Sequence, residues 1–298
     1  MSISESQLEV WAKPGAVTTS ASTYATIKAA LESPYTNYRG KDFEVFLQGS
    51  YGNDTNIYKE SDVDVVIQLN STFLKDISSL PPDQAALYGS IFSSADYLYA
   101  TYKADVIKAL KDAFGSDAIP GKKAIKIKAY GNRRSADVIP ACQFRRYKHF
   151  RSLTDQDFTE GIYFEGNSGD SIKNYPKEHS KNLTSRHQAT GKMFKPFVRI
   201  LKNMRTRLVD AGTIPADLAP SYFIEGLLYN IPAAKFATNY QDTFVACMEW
   251  LRTADRTEFV CANWQYYLLR GDSAVTWTPE SCGAFISAII KMWNDGAV

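Results

Sequence analysis

The chain has 298 residues, of which 45% are hydrophobic and 22% charged, and its formal net charge at pH 7 is +2. This composition is ordinary for a globular protein and is too nearly neutral for a surface devoted to nucleic acid. The four cysteines are scattered without metal-binding spacing, the first residues carry Glu5 and Glu9 instead of a signal peptide, and no apolar run could span a membrane. We therefore expect a cytoplasmic protein with reduced thiols and no membrane partner.

The apolar patterns predict both helices and strands. In chain order, they predict a helix over 20–32, strands over 43–48 and 62–67, a helix over 96–114 that ends at Gly115, and a hairpin over 124–140. Residues 144–192 are polar and aromatic and are expected to be irregular, apart from short strands near 162–164. Helices are predicted over 194–211, 220–230, 239–253 and 279–294. We expect an α+β fold with a core domain over 1–160, a helical domain over 161–298, and a ligand cleft between them.

Two carboxylates interrupt the second predicted strand. Asp62 and Asp64 are separated by one apolar residue, so both project from the same face of the strand. Such a pair repels and loses hydration, which a divalent cation with oxygen ligands compensates. The preceding turn supplies Gly49, which permits close approach of the backbone, and Ser50, whose hydroxyl can donate to a phosphate. The pattern predicts a metal–phosphate site, and the alternative is an Asx-rich turn before an ordinary strand.

A Gly-Ser turn, a spacer and Asp-x-Asp at the start of an apolar strand resemble the signature of the polymerase-beta-like nucleotidyltransferases. That resemblance implies a third carboxylate on a neighbouring strand, and Asp137, on the second strand of the hairpin, is the candidate. Three carboxylates would hold two Mg²⁺ or Mn²⁺ ions about 3.5–4 Å apart. Asp62 and Asp64 would hold the ion on the triphosphate, and Asp137 would activate the attacking hydroxyl as a base or as a ligand. Alternatively, Asp137 pairs with Arg133 or Arg134.

The first C-terminal helix carries a basic stripe formed by Lys195, Arg199 and Lys202 at positions i, i+4 and i+7. Facing a ligand cleft, this stripe would meet the phosphates of a nucleotide, whereas facing water it would be a solvated face. Ser221, which follows Pro220 at the start of the next helix, could bind phosphate or act as the N-cap of that helix.

Together with these residues, further segments resemble the bacterial cGAS-like enzymes, also called CD-NTases, over nearly the whole chain. Within that family, the similarity is to the clade that uses pyrimidine nucleotides. It is greatest to the pyrimidine cyclases of Pycsar antiphage defence, with the uridine-using cyclic dinucleotide synthases close behind. The segments that carry the resemblance are Ser6–Trp11, Leu47–Tyr51, Ser61–Val66, Ala136–Val138, Asn174–Lys177, Leu201–Asn203 and Ser221–Glu225.

The resemblance implies an enzyme that converts UTP or CTP to a 3′,5′-cyclic pyrimidine mononucleotide and pyrophosphate. The product would be a second messenger that a separate effector protein reads. Asn174 is assigned to the base, because a carboxamide can pair with the edge of uracil or cytosine. The residues implied in nucleotide binding are Gln48, Gly49, Ser50, Tyr51, Asn174, Lys202 and Ser221.

Other functions stay open on the residues alone. A cyclic dinucleotide synthase would hold a second nucleoside beside the first, and a nucleotide or RNA sensor would have no need of three desolvated carboxylates. An RNA-tailing enzyme would need a long phosphate-binding track, which the near-neutral charge does not predict. The basic run over 145–151, with its aromatic residues, is expected to be a solvated edge or a lining of the nucleotide cleft. His149, His179 and His187 are expected to be surface or helical-domain residues.

Overall fold

The computed structural model describes residues 2–59, 62–166, 169–271 and 275–296. They form two compact units whose segments alternate along the chain. The predicted domains instead divide the chain once, at residue 160, and that division stays a prediction. Ser61, which belongs to one of the segments named above, lies outside the described residues. The sheet unit comprises Val17–Gly52 and Ser61–Lys177, and the helical unit comprises Met1–Ala16, Asn53–Glu60 and Glu178–Val298.

Regular elements account for most of both units. The strands are β1 (Phe43–Leu47), β2 (Val63–Asp76), β3 (Ala118–Pro120), β4 (Ile125–Ile127), β5 (Ala136–Phe150), β6 (Gln156–Glu165) and β7 (Ser171–Asn174). The α-helices of the described residues are α1 (Glu5–Ala12), α2 (Val17–Leu31), α3 (Gly49–Gly52), α4 (Pro82–Ile91), α5 (Tyr99–Phe114), α6 (Pro176–Ala189), α7 (Phe194–Asp210), α8 (Ser221–Tyr229), α9 (Tyr240–Thr253) and α10 (Pro279–Asp295).

Within the described residues, seven strands form one mixed sheet in the order β1-β2-β5-β4-β3, with β6 beside β5 and β7 beside β6. β2 and β5 are parallel, and a crossover that includes α4 and α5 joins them, as a parallel pair requires. Val63, Val65 and Ile67 are fully buried in the core that the sheet shares with α2 and α5. Because side chains alternate along a strand, Asp62 and Asp64 project from the opposite face. The predicted α+β class is confirmed.

The irregular region predicted over 144–192 is wrong in large part. β5 continues to Phe150, and its second half is hydrogen-bonded to the end of β2 on one edge and to β6 on the other. Tyr147 and Phe150 are buried against Tyr88 of α4, which gives this polar stretch an aromatic core of its own. α6 follows, with His179 and Leu183 as its buried residues.

The helical unit has its core around α7. Phe197, Ile200, Leu201 and Met204 are buried there, against residues of α8, α9 and α10. Each of α7 to α10 begins and ends within one residue of its predicted bounds, because their apolar stripes follow the helical period. No helix in the described part of the chain is long and apolar enough to cross a bilayer.

Candidate active site

The three predicted catalytic carboxylates lie at the same end of two adjacent strands. Asp64 of β2 is directly opposite Asp137 of β5 in the parallel register, and Asp62 immediately precedes β2. The backbone N–H of Gln48, which follows β1, donates to the carbonyl oxygen of Asp64 at 3.0 Å. The strand register therefore brings Asp62, Asp64, Asp137 and the Gly-Ser turn together within the sheet unit.

The Asp137 carboxyl has a raised pKa. Burial is the largest cause, the negative charge of Asp62 adds to it, and the positive charge of Lys126 opposes it. Lys126, opposite Asp137 in β4, also lies 3.5 Å from the Asp62 carboxylate, which accepts a hydrogen bond from the Ser135 hydroxyl as well. The effect of Asp62 on Asp137 shows that the two carboxylates are close enough to repel.

Arg133, one of the alternative partners considered for Asp137, is bonded elsewhere. Arg133 donates to the Asp117 carboxylate at 2.8 Å and lies over the ring of Phe114. The backbone N–H of Arg134 donates to the hydroxyl of Thr23 at 2.9 Å. The hairpin-end pairing of Asp137 with Arg133 is therefore wrong.

The Gly-Ser turn approaches the second aspartate closely. Gly49 opens the short helix α3 with a φ of +62°, in the left-handed region, and a Cβ there would overlap the Asp64 carboxylate, whose Cγ would be 3.1 Å away. The space and the backbone conformation therefore both require glycine. Beside it, the side-chain oxygen of Gln48 is buried and has no hydrogen-bond partner among the described residues. Ser50 and Tyr51 follow, both half-buried.

Asn174 is the last residue of β7, opposite Ile162 of β6. Its side-chain oxygen accepts the backbone N–H of Tyr175 at 2.8 Å. Tyr175 is buried, and a Cβ at Gly161 would overlap both its ring and the backbone oxygen of Asn174. The turn is therefore tightly packed, and the side-chain oxygen of Asn174 is already bonded within it.

The basic stripe of α7 is buried, so the alternative of a solvated face is wrong. Lys195, Arg199 and Lys202 are exposed by 6%, 8% and 0%. Lys195 donates to the Asp54 carboxylate at 3.0 Å, Arg199 donates to the backbone oxygen of Asp54 at 2.5 Å, and Lys202 donates to that of Thr55 at 2.9 Å. The stripe holds the chain segment that follows the Gly-Ser turn, and a phosphate contact of Lys202 stays a prediction.

A buried carboxylate that the sequence analysis missed lies beside Lys202. Glu225 of α8 accepts hydrogen bonds from the His179 ring at 2.8 Å, from the Asn53 amide at 3.1 Å and from the Thr55 hydroxyl. Burial raises the pKa of Glu225, but the hydrogen bond and charge of His179 and the charge of Lys202 outweigh it and lower the pKa. The signal was a glutamate inside the apolar run of α8. His179 is buried and not a surface residue.

Ser221 is the first residue of α8, and Pro220 is the N-cap, so the alternative of an N-cap serine is wrong. The Ser221 hydroxyl accepts a hydrogen bond from Arg205 of α7 at 3.2 Å. α7 and α8 pack against each other, which gives Lys202 and Ser221 a common location in the helical unit.

Comparison with known proteins assigns the family. The model of the cGAS/DncV-like nucleotidyltransferase C-terminal helical domain matches residues 181–294. A cyclic UMP-AMP synthase of Rhodothermus marinus (strain SG0.5JP17-172) is 40% identical over 296 residues, which cover 99% of each chain. The chain belongs to the cGAS/DncV-like nucleotidyltransferases. The predicted resemblance to CD-NTases is thereby confirmed.

A further relative and a solved structure are similar to this chain over nearly its whole length. The cyclic nucleotide synthase CdnE01 of Staphylococcus haemolyticus is 36% identical over 302 residues, covering 99% of this chain and 100% of that protein. The solved structure of Rhodothermus marinus CdnE c-UMP-AMP synthase with Apcpp and Upnpp has a TM-score of 0.89 and 38% identity, and covers 99% of this chain and 98% of that one. These relatives indicate an enzyme of nucleotidyl transfer and cyclisation.

The donor chemistry at the strand ends of the nucleotidyltransferase fits hard divalent cations. Three carboxylates provide only oxygen ligands, and a cation would offset both the burial of Asp137, which is the largest cause of its raised pKa, and its repulsion by Asp62. No group of three His, Cys, Asp or Glu side chains among the described residues is already gathered as a ligand set. Asp62 is instead bonded to Ser135 and Lys126. The register supports a metal site, and its ligand geometry stays a prediction.

The basic run over 145–151 is largely neutralised by aspartates. Arg146 pairs with Asp76 at 3.4 Å and Lys148 with Asp157 at 3.1 Å. Arg145 lies over the ring of Phe73, 3.8 Å from its centroid. Paired in this way, the run does not provide the unopposed positive charge that a phosphate backbone would require.

Proposed function

We propose that this enzyme joins the 3′-oxygen of a nucleotide to the α-phosphate of UTP and makes a cyclic nucleotide that contains at least one uridine. The observation that carries the proposal is the in-register pair Asp64 and Asp137, with Asp62 close enough to raise the pKa of Asp137. Partly burying mutually repelling carboxylates is costly, and binding of a nucleotide without chemistry would not require it. This argues for catalysis over a sensor function.

Each transfer forms one P–O bond, breaks the bond to pyrophosphate, and removes the proton of the attacking hydroxyl. A cyclic dinucleotide takes two such transfers and releases two pyrophosphates, whereas a cyclic mononucleotide takes one. Two Mg²⁺ or Mn²⁺ ions held by Asp62, Asp64 and Asp137 would stabilise the charge on the reacting phosphates. Asp137 accepts the proton. Burial and the charge of Asp62 raise its pKa, which makes its carboxylate a stronger base than an ordinary aspartate.

Within the sheet unit, Gly49 allows the backbone of the Gly-Ser turn to approach a phosphate, and Ser50 supplies a hydroxyl donor. The resemblance to CD-NTases also assigns Lys202 and Ser221 to nucleotide binding, where an ammonium and a hydroxyl would donate to phosphate oxygens. Lys202 would exchange its hydrogen bond to Thr55 for one to the ligand.

Uracil fits Asn174 better than cytosine does. Because the Asn174 oxygen is bonded to the N–H of Tyr175, its side-chain NH₂ is the part that can face a base. An NH₂ group donates, so if it faces position 4 of the base it pairs with O4 of uracil and is opposed by the amino group of cytosine, whereas O2 would accept from it in either base. The c-UMP-AMP synthase named above supports a uridine substrate by its similarity.

The product is proposed to be a cyclic dinucleotide, because the synthase that is 40% identical makes cyclic UMP-AMP. A 3′,5′-cyclic pyrimidine mononucleotide made from UTP or CTP was the product expected from the sequence. Its uridine form, cyclic 3′,5′-UMP, is the second candidate, since the same carboxylates would serve attack by the nucleotide's own 3′-hydroxyl. In either case, we propose that the product is a second messenger for a separate effector protein in antiphage defence.

The test is to incubate the purified protein with UTP alone and with UTP paired with each other triphosphate, in Mg²⁺ or Mn²⁺, and to identify products by mass. A mixed or uridine-only cyclic dinucleotide supports the first candidate, and the cyclic mononucleotide supports the second. A chelator should abolish either product. Failure to release pyrophosphate from any triphosphate would overturn the proposal.

A further inference from the structure

A group of charged and amide side chains lies on strands of the sheet that also carry the candidate active site. Lys177, in the first turn of α6, places its ammonium 2.5 Å from one oxygen of Glu44 and 2.6 Å from one oxygen of Glu160. The side-chain nitrogen of Gln68 donates to the same two oxygens, at 3.2 Å each. We call these four residues the Lys177 cluster.

The Lys177 cluster is a charged structure with strong internal bonding. Burial raises the pKa of Glu160, but the hydrogen bonds from Lys177 and Gln68 outweigh it and lower the pKa. Burial likewise lowers the pKa of Lys177, and the hydrogen bonds to Glu160 and Glu44 outweigh it and raise the pKa. The lowered pKa of Glu160 keeps its carboxylate charged, and the Lys177 ammonium bridges it to Glu44.

The strands that the Lys177 cluster joins are those of the candidate active site. Glu44 and Gln68 are opposite each other in β1 and β2, and alternation puts Gln68 on the same sheet face as Asp64. Glu44 belongs to β1 and lies four residues before Gln48, which follows that strand. The Lys177 ammonium is also 5.1 Å from the centroid of the Phe46 ring, on the same strand. The cluster thus fixes Lys177 to the strand that leads into the Gly-Ser turn.

Lys177 is also three residues after Asn174, at the other end of the short turn that joins β7 to α6. Glu160 belongs to β6, the strand that β7 pairs with. Because the turn between Asn174 and Lys177 is short, holding Lys177 on β1 and β6 also holds the position of Asn174.

We propose that Lys177 is a positioning residue for base selection, which acts by fixing the Asn174 turn to β1 and β6. The inference rests on the proposed role of Asn174 in reading uracil. A hydrogen bond weakens steeply when its distance or angle is wrong. If this turn were mobile, the hydrogen bond from Asn174 to uracil would weaken, and the enzyme would lose its preference for uracil before it lost catalytic activity. Asp64 and Asp137 are held opposite each other by the β2–β5 register, in which Lys177 takes no part.

The experiment compares variants for the use of UTP against each other triphosphate in competition, together with total turnover and thermal unfolding. Lys177→Met should reduce the preference for UTP about tenfold, the loss expected for one hydrogen bond, while turnover of the pooled substrates changes much less. Glu160→Gln, which changes few atoms, should give a smaller loss of the same kind and serves if Lys177→Met does not fold. Lys177→Arg should keep most of the preference. The control is Lys173→Met, on the exposed side of β7, which should change nothing.

The double variant Asn174→Ala/Lys177→Met separates the inference from the proposal on which it rests. If Lys177 acts through Asn174, the double variant should discriminate no worse than Asn174→Ala alone. Additive losses, or a Lys177→Met variant that is merely less stable and keeps its preference for UTP, would overturn the positioning role. If Asn174→Ala itself leaves the base preference unchanged, then the proposed reading of uracil fails first.

Discussion

Replacing Lys202 tests the buried charge network of the helical unit. Lys202→Met keeps the length of the side chain and removes an ammonium that is fully buried, donates to the Thr55 carbonyl at 2.9 Å and lowers the pKa of Glu225. Removing this ammonium leaves the buried Thr55 carbonyl without its donor and takes a positive charge away from Glu225, which should cost about 1–3 kcal/mol. At about 2–4 °C per kcal/mol, the midpoint of thermal unfolding should fall by roughly 5 °C.

The assay is thermal and urea unfolding at neutral pH, with Lys59→Met as the matched control. Lys59 pairs with Asp210 at 2.6 Å, but both side chains are more than half exposed, so that pair should be worth about 0–1 kcal/mol. A midpoint for Lys202→Met no lower than that of Lys59→Met would refute the reasoning.

The pH dependence of the same comparison has a definite sign. The folded state lowers the pKa of Glu225, so its ionised form stabilises the fold above its unfolded pKa, and this contribution is lost as the pH falls through the folded pKa. The difference in stability between wild type and Lys202→Met should therefore shrink in acid. A difference that grows in acid would mean that Lys202 is not compensating Glu225.

The sequence was sufficient to predict that the three carboxylates lie at neighbouring strand ends, because their signal is local. Asp62 and Asp64 alternate with buried valines, and the strand that carries Asp137 shows the same interrupted apolar pattern. Once two such strands pair, register alone decides which residues meet, and Asp64 meets Asp137. α7 was equally predictable from its apolar period.

The buried network could not be predicted in the same way, because its partners are far apart in the sequence. Lys202 and Thr55 are 147 residues apart, and Glu225 and Asn53 are 172 apart. A basic stripe beside an apolar face looks the same whether backbone carbonyls or water cover it. Only the placement of the segment after the Gly-Ser turn decides between them.

The remaining predictions concern the candidate active site. Asp62→Asn combined with Asp64→Asn should abolish product while the circular dichroism spectrum and unfolding midpoint persist, and wild-type turnover would contradict the two-metal assignment. Gly49→Ala should lower turnover at least about tenfold, because its Cβ overlaps the Asp64 carboxylate, whereas Gly40→Ala, also at positive φ but with nothing within 4 Å, should leave turnover unchanged. Lys126→Met should move the acidic limb of kcat/KM to higher pH. Asp137 must be ionised to act, burial and Asp62 raise its pKa, and Lys126 is the charge that opposes them, so its removal raises the pKa further. The limb is measured from about pH 5 to 8 with UTP at limiting concentration, where kcat/KM reports the pKa values of the free enzyme. The control is Lys128→Met, because Lys128 is exposed and lies just after β4. An acidic limb that stays in place, or moves to lower pH, would show that the group that limits the rate in acid is not Asp137.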